Sequence, residues 1–185
     1  NRPAVEVARG LLGMRLVRML DGQRVSGMIN ETEAYQGETD LACHARAGRT
    51  ARTAVMYGPP GHAYVYFTYG MHWCLNAVTG PEGEPAAVLI RGLLPLEGIP
   101  QIAARRAPQP QRLWMNGPAR ICRSMDIDGR LNGIDLTTPD SGLWIEAGDP
   151  VPEFQIQTSP RIGIRRVPEP WRSIPWRCSC TEIRT

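Results

Sequence analysis

The sequence predicts one domain of hairpin-linked strands with a few short helices, and three observations carry that prediction. Asp21-Gly22 separates two β-like stretches and is a strong two-residue hairpin signal. An aromatic run from Ala63 to Thr68 meets a Tyr69-Gly70 tip and then a second β-like run. Helix signals are confined to short segments that begin near a proline. A chain of 185 residues fits one domain able to bury a core without staples, here residues 1–185, with no internal repeat or domain boundary.

Taken in order, residues 3–13 read as a short amphipathic helix: Pro3 sits early, Val5, Ala8, Leu11 and Leu12 share a face, and Gly13 can end it. Residues 14–20 read as a strand and residues 24–35 as its hairpin return, where strict alternation puts Glu31, Glu33 and Tyr35 on one face. Residues 36–62 lack periodicity and are rich in Gly, Thr, Arg and Pro, which predicts a long functional loop with one helical turn. Residues 63–68 form a strand with Tyr64 and Tyr66 on one face and Val65, Phe67 and Tyr69 on the other. Tyr69-Gly70-Met71-His72 is its hairpin tip, and residues 73–79 return. After a loop at 81–85, residues 86–91 predict a short buried strand that ends on Arg91. A helix over 96–106 is broken by Pro108-Gln109-Pro110, and Asn116-Gly117-Pro118 starts another that runs to about Met125. Beyond residue 126 the pattern is loops and short strands, with 143–146 and 161–165 the best strand candidates.

Composition narrows the chemistry. Net charge is +3, mildly basic and compatible with phosphate contacts. All 21 basic residues are arginine, a residue suited to bidentate phosphate contact, and no lysine is present to form a Schiff base. The five cysteines (Cys43, Cys74, Cys122, Cys178, Cys180) are odd in number and scattered, which reads as reduced thiols and lacks finger-like zinc spacing. No metal and no cofactor are expected. No apolar run approaches a membrane span and no secretory signal opens the chain, so no membrane partner is expected. The first residue is Asn1 rather than Met, and the expectation is that further residues precede it.

Residues 31–76 concentrate the reactive side chains, holding all five tyrosines and all three histidines. Carboxylates beside flat aromatic rings and imidazoles suit stacking on a planar heterocycle with proton chemistry next to it. Glu31 and Glu33 admit three readings: ligands of a magnesium-dependent nuclease with Asp40 and Glu38, an acid/base residue with its neighbour, or a polar strand facing water. Tyr64 and Tyr66 are either core aromatics or the walls of a base pocket, where stacking is worth ~1–3 kcal/mol per base. Tyr69 at a hairpin tip suits a wedge between base pairs. His44 reads as a pocket residue, a metal ligand or a loop polar residue. Asn76 can face the same pocket as a polar or steric filter. Arg91 can orient a water or a carboxylate, or simply end a strand, and Arg46, Arg49 and Arg52 can hold a phosphate backbone or form a solvated cluster.

These pieces occur together in an order that resembles a known family. Glu31-Thr32-Glu33-Ala34-Tyr35, His44, Tyr64-Val65-Tyr66 with Tyr69-Gly70-Met71, Cys74 with Asn76, and Val88-Leu89-Ile90-Arg91 resemble the alkyladenine (3-methyladenine) DNA glycosylases of the mammalian type. The similarity runs from about Val5 to Gly98, then more weakly through residues 116–118 and 160–164. It implies a compact α+β domain on a curved, mainly antiparallel sheet, with the aromatic hairpin inserted and helices flanking it. It implies base-excision repair of alkylated or deaminated purines, of the 3-methyladenine, hypoxanthine and ethenoadenine class, flipped from double-stranded DNA. Carried over, Glu33 is the base that activates water and Arg91 helps to hold that water. Tyr35, His44 and Tyr66 contact the flipped base, Asn76 disfavours the guanine amino group, and Tyr69 enters the gap. Tyr64, Met71 and the three arginines are further DNA contacts. The implied protein is a monomer acting with DNA inside the cell, in the cytoplasm, nucleoid or nucleus.

Because no lysine is present, a monofunctional enzyme without strand cleavage is expected. The chain departs from the family pattern at Arg52-Thr53, and again after Pro175-Trp176-Arg177. There Cys178-Ser179-Cys180-Thr181-Glu182-Ile183-Arg184-Thr185 lacks the aromatic run of the family's closing strand. The alternatives are a metal-dependent nuclease using Glu31, Glu33 and Asp40, and a non-catalytic module whose tyrosines only stack on bases.

Overall fold

A computed structural model describes residues 2–180. Its eight strands form one antiparallel sheet with helices against it, the α+β class that the sequence pattern and the resemblance led us to expect. The Asp21-Gly22 hairpin joins β1 (Arg15–Leu20) to β2 (Gln23–Gln36), with Leu20 opposite Gln23. Both turn residues lie at positive φ, 50° and 75°, the backbone hand that matches strand twist.

β2 is the spine. One edge of its 14 residues pairs with β5 (Ala86–Glu97). The other edge pairs first with β1 and then, over Glu31 to Glu33, with β8 (Arg177–Cys180). β3 (Ala63–Thr68) and β4 (His72–Val78) form the aromatic hairpin beside β5. β6 (Leu143–Glu146) lies against β1, and β7 (Ile156–Ser159) against β8. The helices are short: α1 (Ala4–Gly10), α2 (Ile99–Arg106) and α3 (Pro118–Ser124). Among the described residues no helix is long and apolar enough to cross a membrane.

Strand alternation divides the sheet into a core face and a pocket face. Ile29, Val65, Leu75, Ala77 and Ile90 turn inward with Ile102, Ile121 and Met125 of α2, α3 and the residue that ends α3. Ala34, Val88, Cys178 and Cys180 pack under α1 against Ala4, Ala8 and Leu12. The alternate residues, Tyr35, Tyr64, Tyr66, Cys74, Asn76, Ala87, Leu89 and Arg91, face a cavity on the other side.

Three expectations are corrected, and one departure from the family pattern is accommodated. β5 does not stop at Arg91: residues 93–97 continue along β2 opposite residues 26–29, so the next helix starts only at Ile99. Residues 161–165 are not a strand, because the Arg161 side chain and the Ile162 N–H bond to side chains of other segments instead of a ladder. The long loop carries two 3₁₀ turns, His44–Ala47 and Ala54–Tyr57, where one helical turn was expected. The closing strand forms without its aromatic run: Cys178 and Cys180, small and buried on alternate positions, fill the space under α1. Thr181 to Thr185, the rest of that departure, lie outside the described residues.

The β2–β5 register breaks where chemistry is expected. Thr32 faces Ile90 and Glu31 faces Gly92, which leaves Arg91 as an extra residue without a partner on β2. A Cβ on Gly92 would stand 2.4 Å from Asn30 Oδ1 and 2.9 Å from Glu31 Cβ, so only glycine admits both side chains. Gly92→Ala is therefore expected to destabilise the fold by about 1–3 kcal/mol, the usual penalty for overpacking, measured by urea denaturation. An unchanged midpoint would show that the bulge relaxes freely.

Candidate active site

The cavity on the pocket face encloses about 310 Å³. Its floor is β2, β5, β4 and β3, its walls are the 42–44 loop and Ile162 to Ile164, and Tyr69 stands at its mouth. The site residues expected from sequence therefore meet at one place: Tyr35, His44, Tyr66, Asn76, Arg91 and Tyr69 all line it.

Glu33 lies directly behind this lining, wholly out of solvent. One oxygen accepts the Ile162 N–H at 2.7 Å and faces Arg91 Nε at 3.4 Å, and the other accepts the Tyr35 hydroxyl at 2.8 Å. Burial pushes the Glu33 carboxyl above its ordinary value, and Arg91, the Ile162 N–H and the Tyr35 hydroxyl pull against that shift. For Arg91, burial alone would lower the guanidinium, but Glu33 and Glu31 hold it above its ordinary value. Glu31 accepts Arg91 Nε at 3.0 Å and Arg177 Nη1 at 2.9 Å, so β8 delivers a cation to the site from the residue just before the unusual tail.

The walls are polar aromatics with their hydroxyls accounted for. His44 Nδ1 lies 2.9 Å from the Tyr64 hydroxyl, and its ring meets Tyr66 edge-on at 4.5 Å. Protein packed against the imidazole, then Arg52 and Arg46, bring its pKa down to about 4, so it is neutral at physiological pH. Asn76 is buried with Nδ2 fixed on the Tyr64 carbonyl at 2.9 Å. Burial raises both Tyr64 and Tyr66, which stay protonated. Tyr64 is a pocket wall rather than an outer surface, being only 2% exposed.

The mouth opens into a groove of about 740 Å³ lined by Arg46, Arg52, Arg165 and Arg166. Arg49 lies apart from it, stacked over Tyr57 at 5.8 Å. Above the groove the hairpin tip holds Tyr69 83% exposed, with Met71 beside it. Tyr69 sits at φ +51°, a conformation that bulky residues rarely adopt.

Sequence reasoning did not single out Arg161, Ile162, Arg165, Arg166 or Arg177 for the site. The basic pair Arg165-Arg166 and the family-like stretch at 160–164 were available signals, but the contacts of Arg161, Ile162 and Arg177 run through backbone atoms or long-range ion pairs that no spacing reveals. Asp40 and Glu38, the further carboxylates of a nuclease reading, are engaged elsewhere: Asp40 with Arg161 and Glu38 with the Tyr57 hydroxyl at 2.6 Å. Among the described residues no group of three or more His, Cys, Asp and Glu converges as metal ligands.

The shift of Glu33 has a sign that can be checked. Its folded pKa is raised, so the ionised carboxylate opposes folding above the ordinary carboxyl range, and the opposition is relieved as pH falls through the raised value. Glu33→Gln is therefore expected to leave stability at pH 7 unchanged or higher. A thermal denaturation midpoint several degrees below wild type at pH 7 would contradict this.

The family profile described as methylpurine-DNA glycosylase matches residues 1–182. A protein of Carboxydothermus hydrogenoformans is 50% identical over 163 residues, covering 88% of this chain and 84% of that protein. One from Burkholderia cenocepacia is 46% identical over 180 residues, covering 97% and 84%. One from Methanocella arvoryzae is 46% identical over 190 residues, covering 100% and 93%. Each carries the name "Putative 3-methyladenine DNA glycosylase". The chain belongs to the methylpurine-DNA glycosylase family, and its activity class is that of a DNA glycosylase, a hydrolase of base-excision repair.

Proposed function

We propose that this family member works as the alkyladenine type does: it flips an alkylated or deaminated purine from duplex DNA into the aromatic pocket and hydrolyses its N-glycosidic bond with water activated by Glu33. The observation that carries the reading is a carboxylate buried immediately behind an aromatic pocket with an arginine at ion-pair distance.

The N-glycosidic bond opens through an oxocarbenium-like state, so a carboxylate near C1′ both stabilises developing charge and takes a proton from the attacking water. In this reading Glu33 does both. A carboxylate offers about four lone-pair directions; the Ile162 N–H, Arg91 and the Tyr35 hydroxyl engage it, which leaves acceptor capacity for water. Burial makes it a stronger base than a carboxylate in water, and Arg91 opposes its protonation.

The base stacks among Tyr35, His44 and Tyr66. Alkylation makes a purine electron-poor or cationic, and tyrosine faces attract such rings. A neutral His44 does not repel them. Asn76, fixed through Nδ2, is a rigid obstacle to the 2-amino group of guanine. Tyr69 fills the gap left in the duplex with Met71 beside it, and Arg46, Arg52, Arg165 and Arg166 hold phosphates along the groove. Deaminated bases such as hypoxanthine are accepted by stacking and by lacking that amino group. With no lysine the enzyme is monofunctional. It works as a monomer on DNA in the cell, and the commitment of Glu31, Glu33 and Asp40 to arginines and backbone donors supports a metal-independent route.

A duplex with one hypoxanthine or ethenoadenine, incubated with the protein in EDTA, is expected to break at the lesion only after hot alkali. Breaks before alkali would contradict monofunctional chemistry, and loss of all cleavage in EDTA would favour the metal-dependent alternative. Tyr69→Gly removes one stacked ring worth ~1–3 kcal/mol and should weaken binding to the lesion duplex by about 5- to 150-fold. It also removes the unfavourable φ, so its denaturation midpoint should stay level or rise. Wild-type affinity in this variant would remove Tyr69 from the wedge role.

A further inference from the structure

Arg161 and Asp40 form an ion pair whose two side chains are both fully out of solvent. Such a pair adds little net stability, because desolvating two charges costs about as much as their attraction returns. Its contacts suggest a different use. Arg161 Nη1 donates to Asp40 Oδ2 at 2.5 Å and to the Ala34 carbonyl of β2 at 2.9 Å. Nη2 donates to Asp40 Oδ1 at 2.9 Å and to the Trp171 carbonyl at 3.2 Å. The guanidinium is stacked between Tyr35 at 4.7 Å and Trp176 at 5.1 Å. Asp40 in turn accepts the N–H groups of Gln36 at 3.2 Å and Ala42 at 3.0 Å, at the root of the loop that carries His44.

The pair thus fastens three parts of the pocket: β2 behind Glu33, the loop before His44, and the 161–164 segment that walls the cavity. The residue after Arg161 is Ile162, whose N–H donates to Glu33. We propose that the Asp40–Arg161 clasp is a positioning device for the reaction: it holds the Ile162 N–H on one oxygen of Glu33 and backs the Tyr35 ring whose hydroxyl holds the other. Arg161 is then a positioning residue that touches neither the base nor the water. This rests on Glu33 acting as the base, and it assigns the setting of that base to a pair of residues beyond it.

The consequence is electrostatic. The groups facing Glu33 are Glu31 and Tyr35 on its own strand, Arg91 on β5, Arg177 on β8 through Glu31, and the Ile162 N–H. Burial already favours the neutral acid there. A loosened clasp frees the 161–164 segment and withdraws one donor, so Glu33 holds its proton to higher pH and the water loses its base.

Two variants test this. Arg161→Lys keeps the charge but cannot form the two-pronged contact. Asp40→Asn with Arg161→Met leaves no unpaired buried charge and keeps an acceptor for one of the Gln36 and Ala42 N–H groups, so it carries the test if the lysine variant does not fold. The first readout is titration of the Glu33 carboxyl by ¹³C NMR in the free protein, assigned with Glu33→Gln. The second is the acid limb of single-turnover excision on a hypoxanthine duplex. Both variants should bind their proton at Glu33 roughly tenfold more tightly or beyond, the scale of one hydrogen bond to a charged group. The acid limb should move to higher pH with it, while duplex affinity stays within about threefold. Folded variants in which Glu33 titrates as in wild type would overturn the clasp. If the titration shifts but wild type excises no damaged base, the clasp's hold on Glu33 stands and the assignment of Glu33 as a glycosylase base fails.

Discussion

Taking the Glu33 carboxylate out of water costs enough that an isolated group would simply hold its proton. Much of the pocket face can be understood as what keeps that charge in place. Arg91 is freed from cross-strand pairing by the β2–β5 bulge, and Gly92 gives Asn30 and Glu31 the room that the bulge requires. Glu31 of β2, itself bonded by Arg177 of β8, then orients Arg91. Ile162 and Tyr35 supply the remaining donors from the 161–164 segment and from β2 itself. One buried charge thus links three strands and a loop that lie far apart in the chain.

The same division of labour runs through the sheet. Even-numbered residues of β5, Val88 and Ile90, build cores, and odd-numbered ones, Ala87, Leu89 and Arg91, build the site. Period-two alternation lets one strand serve both without compromise. The hairpin goes further, with Val65 and Leu75 anchored in the core while its tip sets Tyr69 in an unfavourable backbone conformation at the surface. That arrangement suits a side chain whose partner is outside the protein.

Much of this was legible in the sequence because it is local. Asp21-Gly22 and Tyr69-Gly70 specify turns by their own chemistry, and alternation along residues 31–35 and 63–68 places glutamate and tyrosines on the correct faces. What stayed hidden is long-range. Nothing near Arg161 in the chain announces Asp40, 121 residues away, and residues 161–165 look like a strand because their alternation mimics one. The extension of β5 past Arg91 stayed hidden because it depends on pairing with β2, whose bulge accommodates Gly92 and whose Gly27 faces Pro95. The closing strand forms without the family's aromatics, because two small cysteines suffice where α1 packs close.

The most direct test of Glu33 as the base is the pH dependence of single-turnover hypoxanthine excision, with Glu33→Gln measured beside wild type. Catalysis by an ionised, buried Glu33 predicts a wild-type rate that rises with pH along a limb whose midpoint lies above the ordinary carboxyl value. It predicts a variant that is slower by about 10²–10⁴-fold and lacks that limb. A variant that keeps both the rate and the limb would show that another group takes the proton, and that Glu33 is only a buried structural charge.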